Sequence, residues 1–103
     1  MPATDKIVEF CGFKGRIHKE KYTEGNRTGL LLIIEDGEEA GELLATASVN
    51  LPEAELAEDE ICIKNWSENE GILDVLQDAG IIQATGRSVR TGYVSAPICK
   101  LLI

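Results

Sequence analysis

The stretch from Ser67 to Gly80 carries the only helical pattern in the chain, and it constrains what everything else can do. Ile72, Val75, Leu76 and Ala79 recur at i, i+3, i+4 and i+7, with Leu73 widening the stripe, so one face is apolar while Asp74, Gln77 and Asp78 face water. Ser67 and Glu70 have the spacing of a capping box, each side chain placed to accept from the other residue's backbone N–H. Trp66 just ahead of it stands where a hydrophobic staple would pack on the first turn. Gly80 supplies the left-handed residue that ends the helix, so the expected span is 67–80. A single amphipathic helix must bury its stripe against another layer, and the remaining apolar segments are all of strand length.

Those segments read as six or seven short strands. Lys6 to Phe10, Phe13 to Tyr22, Thr28 to Ile34, Leu43 to Leu51, Ile61 to Ile63, Ile81 to Thr85, Ser88 to Val94 and Ile98 to Ile103 are the candidates, some of them merging. Gly12 marks a bend between the first two, Thr23-Glu24-Gly25-Asn26 a turn, Asp36-Gly37 a longer hairpin loop, Pro52 a stop, and Gly86 another turn. Ala45 and Ala47 leave room for the helix stripe to pack on them. The class is therefore α+β, an antiparallel sheet covered by one helix, with residues 1–103 forming a single domain. The apolar tail Ile98 to Ile103 is expected to be paired rather than frayed, preferably as an inner strand closing the sheet onto the N-terminal strands of a monomer, or else across an edge in a dimer.

Charge is the second constraint. The net charge is −8, and its distribution matters more than its size. Residues 35–60 hold Glu35, Asp36, Glu38, Glu39, Glu42, Glu53, Glu55, Glu58, Asp59 and Glu60 without one Lys or Arg, while the flanks are close to neutral. Direct binding of nucleic acid is not expected of such a surface, because phosphate contacts need clustered cations. The basic strip Lys14, Arg16, Lys19 and Lys21 beside Tyr22 is the one local feature that points the other way. No apolar run is long enough to span a bilayer and the N-terminus lacks a basic-then-apolar leader, so the expected location is the cytoplasm, with no membrane partner.

The residues that could carry chemistry are few. Cys11, Cys62 and Cys99 are odd in number and widely spaced, with His18 the only histidine, so no metal site is expected and buried free thiols are the natural reading. His18 stands among Arg16, Lys19 and Glu20 without a relay partner. The acidic loop does not follow the ligand offsets of an EF-hand. Gly86, Arg87, Arg90 and Gly92 lack the order of a phosphate-binding loop. No catalytic residue and no cofactor are expected. One alternative is a small-ligand or anion site, or an enzyme pocket, between Trp66, the helix N-terminus and the hairpin that carries Arg87, Arg90 and Tyr93.

Three segments carry a resemblance: Ala45-Thr46-Ala47-Ser48-Val49-Asn50-Leu51-Pro52, Ile63-Lys64-Asn65-Trp66-Ser67-Glu68-Asn69-Glu70-Gly71, and Thr85-Gly86-Arg87 with Gly92-Tyr93-Val94. Together they resemble a family of small uncharacterised proteins of bacterial mobile elements and phage-like regions. The resemblance brings no catalytic residues with it. It implies an accessory role, and an acidic protein in that setting is similar in profile to anti-CRISPR and anti-restriction inhibitors. The partner then expected is a basic surface of a bacterial or phage nucleic-acid-handling protein, met by the ten carboxylates between residues 35 and 60.

Overall fold

Thr28–Ile34 (β3) is the most apolar strand and sits in the middle of the first of two sheets in this computed structural model, which describes residues 3–25 and 27–103. Ala3–Phe10 (β1), Phe13–Lys21 (β2), β3 and Leu43–Thr46 (β4) form one antiparallel sheet in that order. Ser48–Val49 (β5), Glu60–Ile63 (β6), Ile82–Thr91 (β7) and Val94–Leu101 (β8) form the second, ordered β5-β6-β8-β7. The α+β class and antiparallel pairing hold, with eight strands in two sheets in place of six or seven in one. The segment Leu43 to Leu51, read as one strand, is where the chain changes sheets. Ala47 donates its N–H to Leu30 O of the first sheet at 2.9 Å, and its carbonyl accepts from Lys64 N beside the second at 2.8 Å. Ser48 completes the crossing: its buried Oγ accepts from Leu30 N at 2.9 Å and meets the Tyr22 hydroxyl at 2.7 Å.

The helix is shorter than its pattern. A 3-10 turn covers Ser67–Asn69, and the α-helix (α1) runs Ile72–Asp78. The capping box does not form: Ser67 has φ +56°, and Glu70 N bonds the backbone carbonyl of Ser67 instead of its hydroxyl. Gly71 costs about 1 kcal/mol inside a helix, so the chain takes a left-handed step there (φ +94°) and starts the helix afterwards. The cap comes from farther back, as Asn65 Oδ1 accepts from Leu73 N at 3.0 Å. The other end follows the sequence pattern, with Ile81 N bonding Leu76 O and Gly80 N bonding Gln77 O, both at 3.0 Å, around Gly80 at φ +74°.

Helix α1 packs against β1 and β7, the strands at the far ends of the two sheets. Its fully buried Ile72 and Leu76 join Val8, Ile17, Leu32, Ala45, Ala47, Ile63 and Ile82 in one core that both sheets share. Burying those two side chains contributes roughly 3–6 kcal/mol before chain entropy is counted. Ala79, at the end of the predicted stripe, is exposed. Buried Asn69 docks the 3-10 turn by donating to Thr46 O of β4 at 2.7 Å. A second, smaller cluster lies on the other face of the second sheet, where Val49, Leu51, Leu56, Trp66 and Val89 cover Cys62, Ala96 and Ile98. Trp66 therefore packs on a sheet and is no staple.

Three further expectations are corrected. Gly86 is not a hairpin turn but a bulge inside β7, where the register shifts between Ala84 and Ser88. The tail is an inner strand, as preferred, but its neighbours are β6 and β7 rather than the N-terminal strands. Among the thiols, Cys62 and Cys99 are buried and Cys11 is exposed, at φ +53° in the two-residue turn between β1 and β2. Burial pushes the Cys99 thiol up to about 11. Of the predicted turn at 23–26, Asn26 lies outside the described residues; across it, Tyr22 N bonds Arg27 O at 2.8 Å.

Candidate functional site, an acidic surface in two parts

Strand β3 separates the acidic residues into two groups. Glu35, Asp36, Glu38, Glu39 and Glu42 belong to the loop between β3 and β4, beyond the Ile34 end of β3. Glu53, Glu55, Glu58 and Asp59 belong to the connector between β5 and β6, which is held at the Thr28 end by Arg27, and Glu60 follows as the first residue of β6. Seven residues of strand at ~3.3 Å each keep the two groups roughly 20 Å apart. The fold does not gather the ten carboxylates into one face.

The loop is closed by its own backbone. Ile34 N bonds Glu42 O and Gly41 N bonds Ile34 O, both at 2.8 Å, while Ala40 N and Glu42 N bond Gly37 O and Glu39 O inside the loop. Gly37 and Gly41 supply the positive φ values (+87° and +91°) that this path requires. Glu35 anchors the base: its Oε2 and Oε1 accept from Arg16 Nε at 2.8 Å and Nη2 at 2.6 Å, and its N–H reaches Lys14 O at 2.9 Å. The hydrogen-bonded Arg16 guanidinium holds the Glu35 carboxyl below the usual carboxylate range. Arg16 Nη1 also donates to Thr4 O, a carbonyl beside the irregular pairing of β1. The four remaining carboxylates, Asp36, Glu38, Glu39 and Glu42, are exposed and form no ion pair among the described residues.

The connector is held from outside. Leu51 and Leu56 pin it to the second apolar cluster, and Arg27 donates to Leu51 O at 2.8 Å and to Ala54 O. Where it enters β6 two carboxylates are paired: Glu60 with Arg87, and Asp59 with Lys100 at 3.7 Å. The Arg87 hydrogen bond, helped by the Ala57 N–H, keeps Glu60 below the usual range. Glu53, Glu55 and Glu58 are exposed and unpaired among the described residues, but cations stand close by. Glu58 shares a cleft with Lys21 and Arg27, and Glu53 shares another with Arg90.

The other candidate features are dispersed. The basic strip is broken by the pleat: register puts Lys14 and Arg16 on the outer face of the first sheet and Lys19 and Lys21 on the opposite side, and Lys19 Nζ donates to Ile103 O. Trp66 and Val89 of the β7–β8 hairpin belong to the same filled apolar cluster, Arg87 is taken by Glu60, and Lys64 pairs with Glu68 at the helix approach. Arg90 lies at an open cleft lined by Leu51, Pro52 and Glu53 and not at the helix start. His18 lies half-buried on the outer face of the first sheet, opposite Leu31. Among the described residues no three His, Cys, Asp or Glu side chains converge as a metal site would need, and no helix is long and apolar enough to cross a membrane.

Sequence reasoning missed Ser48, Asn65 and Asn69, which tie the two sheets and the helix together. The Ser-x-x-Glu string at 67–70 drew attention away from Asn65, a good capping type two residues upstream. No protein-family profile matches the chain, and neither curated proteins nor solved structures offer a significant match.

Proposed function

We propose that this protein is a non-enzymatic interaction protein that docks its β3–β4 acidic loop on a basic protein surface. The observation that carries the reading is the state of Asp36, Glu38, Glu39 and Glu42: four exposed carboxylates with no ion-pair partner among the described residues, on a loop whose backbone is already closed. A loop held in place loses little conformational entropy on binding, so charge complementarity goes into association rate and specificity. The connector contributes less, because Lys21, Arg27, Arg87, Arg90 and Lys100 stand among its carboxylates. A nucleic-acid-handling protein of a bacterium or phage is the partner class that combines a large basic surface with the resemblance to mobile-element proteins. Occupying such a surface would inhibit it, as carboxylates take the place of phosphates.

Affinity capture from bacterial lysate at low and high salt tests this. The native chain retains nucleic-acid-binding proteins and releases them at high salt, whereas Glu38→Ser with Glu39→Ser retains none of them. Capture that survives both the double substitution and high salt would overturn the proposal.

A further inference from the structure

Resting on the docking reading above, we infer that the acidic loop is the rim of a larger interface whose centre is an apolar row across the outer face of the first sheet, and that its partner is a cationic protein segment carrying apolar side chains between its Lys or Arg residues. The register aligns Ile7 of β1, Arg16 of β2, Ile33 of β3 and Leu43 of β4 directly opposite one another. Opposed residues in an antiparallel ladder share a face, so the four side chains stand side by side on the side away from the core of Ile17, Leu32 and Ala45. Ile7 is 43% exposed and Leu43 56%, two of the five large apolar side chains left exposed among the described residues. Helix α1 packs toward the core and the connector lies over the second sheet, so neither covers this row.

The acidic rim follows without a gap. Leu43 comes directly after Glu42, and one step beyond Ile33 on the same face is Glu35, where the loop begins. Arg16, in the middle of the row, has its guanidinium turned to Glu35 and Thr4 O, so the one cation in the row is already engaged. An apolar centre with a charged rim is the arrangement of a specific protein interface, and the rim's sign sets the partner's. The same sign argues against two other occupants. A second copy would bring two chains of net charge −8 together with their acidic loops near the shared axis, and an anionic membrane would be repelled.

The test uses the full chain, isotope-labelled for amide spectra, and two synthetic octapeptides of equal charge: a lysine peptide of alternating lysine and serine, and one of alternating lysine and leucine. Both bind through amides of residues 36–42. The leucine-containing peptide binds about tenfold more tightly and also shifts Ile7, Ile33 and Leu43, because burying two or three side chains adds a modest apolar term. Ile7→Ser with Leu43→Ser, both at exposed positions, leaves the lysine peptide's affinity unchanged and lowers the other to match it. Equal affinities of the two peptides for the native chain, an unchanged preference in the double variant, or dimerisation of the free chain through this face would overturn the inference and leave the docking loop standing. No binding of either peptide would overturn both.

Discussion

The β3–β4 loop holds five carboxylates and the β5–β6 connector four, with Glu60 next to it in β6, and neither has a cation of its own, yet the fold treats them in opposite ways. The loop is internally bonded, and four of its carboxylates form no ion pair among the described residues, with Lys14 the one cation that shares a cleft with Asp36 and Glu39. The connector has little structure of its own, is fastened by Leu51, Leu56 and Arg27, and lies among basic residues. A run of acidic residues therefore does not say what it is for. Whether the neighbouring strands bring cations decides between a charge that is available to a partner and one that is already answered.

The largest effect is one that erases the difference. Leu76→Ala removes a fully buried side chain from the core that both sheets share and lowers stability by roughly 2–5 kcal/mol. Denaturant midpoints fall accordingly, and amides of both acidic segments lose exchange protection together. Arg27→Ala separates them. Leaving the Leu51 and Ala54 carbonyls without their donor costs about 1–3 kcal/mol, and hydrogen exchange speeds up in residues 51–58 while 35–42 keep their protection.

Asn65→Ala loses the distant cap of α1 and costs about 1 kcal/mol, whereas Ser67→Ala, at a hydroxyl that caps nothing, changes the midpoint little. The loosening should spread to β4 through Asn69 and Thr46, on the loop's side of the molecule. The smallest effect is in the pH dependence. Glu35 and Glu60 are both held below the usual 4.5, each first by its arginine hydrogen bond. A lowered folded-state pKa adds stability that is complete above the unfolded value and disappears as pH falls through the lowered one. Glu35→Gln and Glu60→Gln should each lower thermal stability near neutrality, where the ion pair is complete, and the deficit from the native chain should close as pH falls below 4.5.

How far the sequence could be read depended on how local each cause was. Strand β3 and the Gly80 helix end matched because an apolar run and a glycine after a periodic stripe act within a few residues. The helix start did not match, because Gly71 and the pull of Thr46 on Asn69 outweighed a capping pattern that was correct in itself. The change of sheet at Ala47 and Ser48 depends on bonds to Leu30 and Lys64, which no local pattern announces. The acidic excess at 35–60 was plain in the sequence. Its division was not, since Arg16 reaches Glu35 across 19 residues and Arg87 reaches Glu60 across 27. The apolar row escaped for the same reason, being a product of register.

The most direct measurement is a side-by-side titration of the lysine octapeptide into two variants of equal charge, Glu38→Ser with Glu39→Ser in the loop and Glu53→Ser with Glu58→Ser in the connector, followed by calorimetry at low ionic strength. Because long-range attraction depends only on net charge, any difference between the two reports where the peptide sits. The loop variant should lose binding about tenfold or more, and the connector variant should stay within about twofold of the native chain. Equal losses in the two variants, or a larger loss in the connector, would contradict the claim that the fold leaves one acidic segment available and answers the other.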